Sequence, residues 1–175
     1  TTPQETSEEE LASMMVGHEV KLVIDKAPAN PGESVLDVQG LHVMDDQGNV
    51  AVKDVSFSVR EGEVLGVAGV QGNGQTELVE ALTGLRRIIG GTARVLGKDI
   101  TNAPPRRIIE AGVAHVPEDR QRDGLVLSYP VADNLVLCTY YRPPFATGIV
   151  MHEDRIVEVA EERVRAFDIR TPSIF

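Results

Sequence analysis

The segment from Gly66 to Leu82 holds the residues whose types and spacing are best suited to chemistry. Its sequence, GVAGVQGNGQTELVEAL, places an apolar run before a glycine-rich turn and a helical pattern after it. Gly69, Gly72 and Gly74 follow the G-x-x-x-x-G spacing of a phosphate-binding loop. Glycines let backbone N–H groups converge on phosphate oxygens, and the start of a helix adds a partial positive charge. The spacing therefore favours phosphate binding over an ordinary glycine-rich turn.

One residue departs from this motif. Gln75 stands where such a loop carries the lysine that reaches the β- and γ-phosphates, whereas Thr76 supplies the hydroxyl that ligates magnesium. Glutamine donates hydrogen bonds but brings no charge, and a charged contact is about twice as strong as a neutral one. We therefore expect weaker phosphate binding, and a larger loss of charge stabilisation during hydrolysis.

The composition limits the classes of function. The chain has 175 residues and a formal net charge of −10, which argues against a nucleic-acid-binding face built from clustered Lys and Arg. No apolar stretch is long enough to span a membrane and no signal peptide is visible, so we expect a soluble intracellular protein. The single cysteine, Cys138, cannot form an internal disulfide, and we interpret it as a small buried apolar residue.

The pattern after residue 34 predicts the elements that hold the loop. VLDVQGLHV and AVKDVSFSVR alternate apolar and polar residues around the turn DDQGN, which predicts a β-hairpin. Two short apolar runs, 63–70 and 112–116, predict central strands buried on both faces of a parallel sheet. A helix is expected from Gln75 to about Leu82.

The remaining segments predict further elements on either side of this unit. Ser7 and Glu10 fit a capping box that starts a short helix, and a linker follows in DKAPANPGES. GGTARVLGKDI predicts a strand, APPRRIIEAG a helix, and the residues after Gly124 two more helices. Four arginines are interpreted as solvated charges near helix ends: Arg86, Arg87, Arg106 and Arg107.

The order of these motifs resembles the nucleotide-binding domain of ABC transporters. GVQGNGQTEL and VPEDRQRDGL are similar to the second ATP-binding half of the fused ATPase of nucleoside and simple-sugar importers, where Gln or Arg often replaces the loop lysine. The resemblance implies an α/β fold of the P-loop NTPase class. It implies a truncated core with an antiparallel β-hairpin and part of a helical subdomain.

The resemblance also implies a site for ATP and Mg²⁺, with Thr76 as the magnesium ligand. Glu118 stands where most members have the Q-loop glutamine, and a carboxylate there is repelled by a triphosphate unless a cation lies between them. The aromatic that usually stacks on adenine is expected near residues 44–47, which contain none. The phosphate-loop positions carried over from the family are Gly69, Gly72, Asn73, Gly74, Gln75, Thr76 and Glu77.

A division of the chain follows from the same resemblance. Residues 1–20 correspond to the tail of the first ATP-binding half, 21–34 to a linker, 35–128 to the first part of the second domain, and 129–175 to a helical subdomain that stops before the LSGG signature. No catalytic residue is assigned within the chain, so we expect the isolated chain to be inactive.

The implied partners are the first ATP-binding half of the same polypeptide and membrane permease subunits. The permease would be contacted through the helical subdomain and the Q-loop region, at the inner face of the cell membrane, with no direct membrane insertion and no nucleic acid.

Two other functions remain open at this stage. The chain could be a nucleotide-independent interaction module that keeps the fold for contact with partners, or a different P-loop enzyme such as a small-molecule kinase. The segment from Tyr140 to Phe145 likewise has two interpretations, namely packing over the helical subdomain or docking against a permease.

Overall fold

The computed structural model describes residues 6–17, 28–70 and 72–175. Its main sheet is antiparallel, with the strand order β2-β1-β3-β4, and a separate two-stranded ribbon joins β5 to β6. The strands are β1 (Ser34–Met44), β2 (Val50–Arg60), β3 (Ile88–Val95), β4 (Lys98–Asp99), β5 (Ala146–Thr147) and β6 (Val150–Met151). The helices are α1 (Glu8–Val16), α2 (Gln75–Thr83), α3 (Pro105–Glu110), α4 (Val131–Val136) and α5 (Glu153–Ala166), with a π-helical turn at Arg120–Gly124.

The predicted β-hairpin is confirmed as β1 and β2. The turn between them is closed by the Asp45 carboxylate, which accepts hydrogen bonds from the backbone N–H groups of Gln47 and Asn49. β1 also pairs with β3, and the two strands approach closely at Gly91, where an added Cβ would lie 2.2 Å from the Gly40 carbonyl oxygen. Glycine is therefore needed at position 91, both for its positive φ and for this contact.

The larger hydrophobic core lies between the sheet and two helices. β1 contributes Val38, Leu41 and Val43, α2 contributes Leu78, and α3 contributes Ile108. Leu41 is fully buried, as expected for the inward-facing position of a half-buried strand. The core thus fixes α2, and with it the start of the helix that follows the glycine loop, against the hairpin.

A second core forms within residues 131–174. α4 and α5 pack through Val136, Ile156 and Ala160, and Phe145 from the intervening segment joins them. The apolar face of α5 is buried at Ile156 and Ala160, whereas Phe167 beyond the helix end is exposed. The interpretation of Cys138 as a buried residue is wrong, because it lies in the turn after α4 and is exposed.

The two predicted central strands are absent as strands. Residues 63–70 and 112–116 form neither a helix nor a strand, and Val64 and Val116 are 95% and 89% exposed. A parallel strand needs hydrogen-bonding neighbours on its edges, and the described residues supply none for these two segments. The expectation of a parallel sheet is therefore wrong for the described part of the chain, where pairing is antiparallel throughout.

The N-terminal helix confirms its predicted caps. The Ser7 hydroxyl accepts a hydrogen bond from the Glu10 N–H, the Glu10 carboxylate accepts one from the Ser7 N–H, and Gly17 ends the helix with a positive φ. The apolar side chains of Leu11, Met14 and Met15 are exposed. Much of the expected linker, together with the ends of the tail assigned to 1–20, lies outside the described residues. Across the described chain, none of the helices has the length and apolar character that crossing a bilayer requires.

Candidate nucleotide-binding loop

The glycine loop turns directly into α2. Gly72 and Gly74 both have positive φ, of 86° and 97°, which explains why glycine occupies these positions. The Asn73 N–H donates to the Val70 carbonyl at 3.2 Å, and Gly74 is the N-cap whose carbonyl accepts from the Leu78 N–H at 2.9 Å. The first N–H groups of a helix have no partner within it, so this turn leaves donors at the helix start. The strand predicted before the loop, at residues 63–70, is not formed in the described chain. The helix predicted after the loop is confirmed as α2.

Gln75 lies across the loop. Its side-chain amide donates to the Val70 carbonyl at 3.2 Å, and its Nε2 atom is 2.1 Å from the position that a Cβ on Gly69 would take. Gly69 therefore has to be glycine while Gln75 keeps this conformation. The amide bridges the two ends of the loop, and it would have to move for a phosphate to take the same space.

The remaining loop residues present a donor set that suits a triphosphate with magnesium. Thr76 is exposed in the first turn of α2, and the space around the Cβ position of Gly72 is open. Backbone N–H groups match phosphate oxygens, and a threonine hydroxyl is an oxygen ligand of the kind that Mg²⁺ prefers. Glu77 also lies in the first turn, where its negative charge is favourable to the helix dipole but not to a neighbouring phosphate. The residues present therefore fit ATP and Mg²⁺, apart from the absent lysine charge.

The start of α2 is seated on the hairpin. An added Cβ on Gly74 would lie 2.8 Å from the Ala51 carbonyl oxygen, which shows how closely the helix N-cap approaches β2. This contact could not be predicted from the sequence, because Gly74 and Ala51 lie in different predicted elements and no sequence pattern links them.

Arg86 is a second feature that the sequence analysis missed. Its interpretation as a solvated charge is wrong, since its side chain is only 19% exposed and forms ion pairs with Asp46 and Glu80. These two partners raise the pKa of Arg86 further above its ordinary value, the hydrogen bond with Glu80 being the larger cause. In the sequence, Arg86 is visible only as part of an Arg-Arg pair just after a predicted helix. That position does not reveal an ion-pair partner in the hairpin turn.

Glu118 belongs to a compact polar turn. The neighbouring Asp119 carboxylate accepts hydrogen bonds from the N–H groups of Gln121 and Arg122, at 2.9 and 3.0 Å, and so caps the π-helical turn. Glu118 itself is exposed and, with residues 119–121, lines an open cavity of about 650 Å³. The carboxylate is therefore accessible to a cation or a partner.

The segment from Tyr140 to Phe145 is packed within the chain at two of its residues, Tyr141 and Phe145, and is exposed at the others. Phe145 is part of the second core, and the Arg106 guanidinium lies 4.1 Å from the centre of the Tyr141 ring. Burial raises the pKa of Tyr141, and the Glu110 carboxylate raises it further. The packing interpretation thus holds for Tyr141 and Phe145, and Arg106 connects α3 to this segment instead of being simply solvated.

Comparison with known proteins gives the family of the chain. The sequence profile of the ABC transporter family matches residues 52–174. The chain is 44% identical over 169 residues to the guanosine import ATP-binding protein NupO of Bacillus subtilis, covering 97% of this chain and 33% of that protein. It is 47% identical over 162 residues to the nucleoside import ATP-binding protein NupA of Lactococcus lactis, covering 93% of this chain and 32% of the relative. The chain therefore spans about one third of the length of these relatives.

Solved structures show the same fold. A nucleotide-free ATP-binding cassette from an ABC transporter superposes with a TM-score of 0.59 at 21% identity, covering 78% of this chain and 55% of that one. A structure of MJ1267, an ATP-binding cassette of an ABC transporter, gives a TM-score of 0.57 at 22% identity, covering 78% of this chain and 55% of that one. At this identity the likeness speaks for the fold alone, and the sequence match supplies the family. By the sequence match over residues 52–174, the chain belongs to the ABC transporter family.

Proposed function

We propose that this chain is part of an ATP-binding subunit that powers the import of nucleosides or simple sugars. The observation that carries the proposal is the glycine loop with positive φ at Gly72 and Gly74, turning into α2 with Thr76 in its first turn. Relatives named for guanosine and nucleoside import match nearly the whole chain at 44% and 47% identity, and one named for glucose import, from Haloferax volcanii, matches 95% of it at 42% identity. These relatives support a cargo that is a nucleoside or a simple sugar.

In this proposal the loop binds the triphosphate of ATP through Gly69 and residues 72–77, with Thr76 ligating Mg²⁺. ATP supplies the free energy that moves the transporter, while this chain's own residues bind and orient the phosphates. Gln75 brings no charge to the γ-phosphate, and Glu118 brings a carboxylate to the Q-loop position. We therefore assign this half a weak or non-hydrolysing role.

The same proposal extends to organisation and partners. Residues 1–20 would end a first ATP-binding half, 21–34 would link it to this one, 35–128 would form the nucleotide-binding part, and 129–175 would begin the helical subdomain. The second core within residues 131–174 supports a helical unit with its own packing. The partners would be that first half and a membrane permease, with the subunit at the inner face of the cell membrane.

A nucleotide-independent interaction module is the second candidate. The observation in its favour is the Gln75 amide, which already bonds the Val70 carbonyl and fills the space beside Gly69. A loop closed by its own side chain would keep the fold for partner contacts without holding a phosphate. Membership of the ABC transporter family leaves no comparable support for a small-molecule kinase.

Titration of ¹⁵N-labelled protein with Mg-ATP distinguishes these two functions. Nucleotide binding predicts saturable shifts of the Gly72, Gly74 and Thr76 amides, with AMP giving much smaller shifts because it lacks the β- and γ-phosphates. Absence of any shift at millimolar Mg-ATP would reject nucleotide binding by this chain and favour the interaction module. ATP turnover by the purified chain above that of a mock preparation would contradict the assignment of an inactive half.

A further inference from the structure

The ring of Tyr141 is the point at which the segment after α4 meets α3. The Arg106 guanidinium carbon lies 4.1 Å from the centre of that ring, which is within the range of a cation–π contact. Glu110 follows Arg106 by four residues, so the two side chains leave α3 on the same face. Burial raises the pKa of Tyr141, and the nearby Glu110 carboxylate raises it further. The ring therefore lies on the face of α3 that Arg106 and Glu110 share.

The opposite face of α3 belongs to the larger core. Ile108 is 1% exposed and is part of that core. It lies two residues from both Arg106 and Glu110, which is a rotation of about 200° at 3.6 residues per turn. Its side chain therefore leaves α3 on the side away from Tyr141. One face of this short helix packs on the larger core, and the other face receives the Tyr141 ring.

Tyr141 is itself held by its neighbours in the second core. Phe145, four residues later, is buried there against α4 and α5. The Tyr140 N–H donates to the Val136 carbonyl at 2.8 Å, and the two tyrosine rings meet edge to face with their centres 5.7 Å apart. The position of the Tyr141 ring is thus fixed relative to the second core, and its contact with Arg106 links that core to α3.

Other polar links between the two cores are missing from the described part of the chain. Among the described residues, no hydrogen bond or ion pair joins residues 34–113 to residues 126–175. The segment between these ranges contains no helix or strand apart from the π-helical turn. Each core is built from residues of its own range, so each would stay packed if the two moved relative to one another.

We propose that Arg106 and Tyr141 form a releasable clasp that fixes the orientation of the second core relative to the larger core. With the clasp closed, the unit of α4 and α5 has one orientation beside α3. With the clasp open, the connecting segment alone joins the two cores, and their relative orientation varies while both remain folded. The inference goes beyond the proposed function and does not depend on nucleotide binding.

The aromatic ring of Tyr141, and not its hydroxyl, makes the clasp. The hydroxyl oxygen is buried, and no described residue forms a hydrogen bond with it. A buried hydroxyl without a partner destabilises the arrangement that buries it, whereas the ring face attracts the guanidinium. Tyr141→Phe should therefore keep the clasp closed, and Tyr141→Leu should open it.

Residual dipolar couplings of backbone N–H groups test the clasp, because they measure relative orientation directly. Couplings from β1 and α2 report on the larger core, and couplings from α4 and α5 report on the second core. In the wild-type chain one alignment tensor should fit both sets. In Arg106→Ala and in Tyr141→Leu the second core should need a smaller tensor of its own, because its couplings average over the open orientations. Loss of an exposed cation–π contact should raise the ratio of open to closed molecules about twofold to fivefold.

Matched variants separate the clasp from charge and from general stability. Arg107→Ala removes the same charge from an exposed neighbour on α3 and should keep a single tensor, as should Tyr141→Phe. Arg106→Lys keeps the charge without the planar guanidinium that stacks on a ring, so it should give an intermediate tensor for the second core. The methyl signals of Ile108 and Ile156, one in each core, should keep their wild-type shifts if both cores stay packed.

A single tensor of unchanged size in both Arg106→Ala and Tyr141→Leu would overturn the clasp. Two different tensors in the wild-type chain would also overturn it, since the clasp would then not fix the orientation. If Tyr141→Leu loses the Ile156 methyl signal, the exposed substitution Arg106→Ala decides alone. All of these measurements are made without Mg-ATP, so a failure of nucleotide binding would leave the clasp standing, and a failure of the clasp would leave nucleotide binding untouched.

Discussion

Replacing Gln75 by lysine should strengthen the binding of Mg-ATP, because it adds a positive charge where the loop has only a neutral amide. In the wild-type chain the Gln75 amide donates to the Val70 carbonyl at 3.2 Å and lies against Gly69. A bound phosphate would have to displace this amide or share the loop with it. Lysine at the same position has a longer and more flexible stem and three donors, so it can leave Val70 and meet the phosphate.

The size of the gain follows from the contacts involved. A neutral hydrogen bond contributes about 1 kcal/mol net and one to a charged group about 2 kcal/mol, so the exchange is worth about 1 kcal/mol. The hydrogen bond to the Val70 carbonyl is lost on ATP binding in both the wild-type chain and Gln75→Lys. Its cost therefore nearly cancels when the two affinities are compared. A difference of about 1 kcal/mol corresponds to an affinity about fivefold higher for Gln75→Lys.

The assay is the titration of the Gly72, Gly74 and Thr76 amides with Mg-ATP, at low and at high salt. Gln75→Met is the matched control, because it has a similar length without charge or donor and also releases Val70. Lysine should improve affinity over both glutamine and methionine, and the improvement should shrink at high salt because surface charge contacts are screened. An equal gain for methionine and lysine would refute the reasoning, since it would show that opening the loop, and not charge, was limiting. A gain that is unaffected by salt would refute it as well.

Three further predictions concern stability and are measured by denaturant unfolding. Gly74→Ala should destabilise the chain by more than Gly72→Ala: both place alanine at positive φ, at a cost of about 1–2 kcal/mol, but only at Gly74 does the new Cβ lie 2.8 Å from a backbone oxygen. Equal costs would contradict the proposed seating of α2. Asn134→Asp should lower the free energy of unfolding by about 1–3 kcal/mol. The Asn134 amide accepts from one backbone N–H and donates to three carbonyls, and a carboxylate in its place would repel those carbonyl oxygens. An unchanged unfolding midpoint would show that the Asn134 side chain does not hold the loop before α4. The Asn49 N–H lowers the pKa of Asp45 below its ordinary value, so the contribution of Asp45 to stability is complete above about pH 4 and is lost as pH falls through the lowered pKa. The difference in stability between the wild type and Asp45→Ala should therefore shrink in acid, and a constant difference would contradict this assignment.

The sequence was sufficient for features set by local chemistry. The hairpin followed from alternation around DDQGN, the first helix from its capping box, and the turn into α2 from glycines whose positive φ the structure confirms. The family resemblance, carried by the loop and by VPEDRQRDGL, is confirmed by the match over residues 52–174. The individual phosphate-binding residues, by contrast, stay predictions.

Features set by long-range contacts were not predictable from pattern alone. Apolar composition predicted buried strands at 63–70 and 112–116, but composition does not show whether neighbouring strands are present to pair with them. Arg86 was mistaken for a solvated charge because its partners lie 40 residues earlier in the chain, at Asp46, and within α2. The short ribbon of β5 and β6 has two residues in each strand and leaves almost no periodic signal.

The glycine loop combines local and long-range features, because the segment before it and the helix after it are fixed to the protein in different ways. On the helix side, Gly74 is seated on the Ala51 carbonyl and α2 is packed into the larger core. On the other side, residues 63–70 enter the loop as an exposed segment without a sheet partner in the described chain. In the proposed site, the donors to a phosphate would come mainly from the helix side, at the first turn of α2. Phosphate affinity in this chain should therefore depend on the seating of α2 more than on the entering segment. A substitution at Gly74 should accordingly weaken binding more than Val64→Ala, whose side chain is 95% exposed.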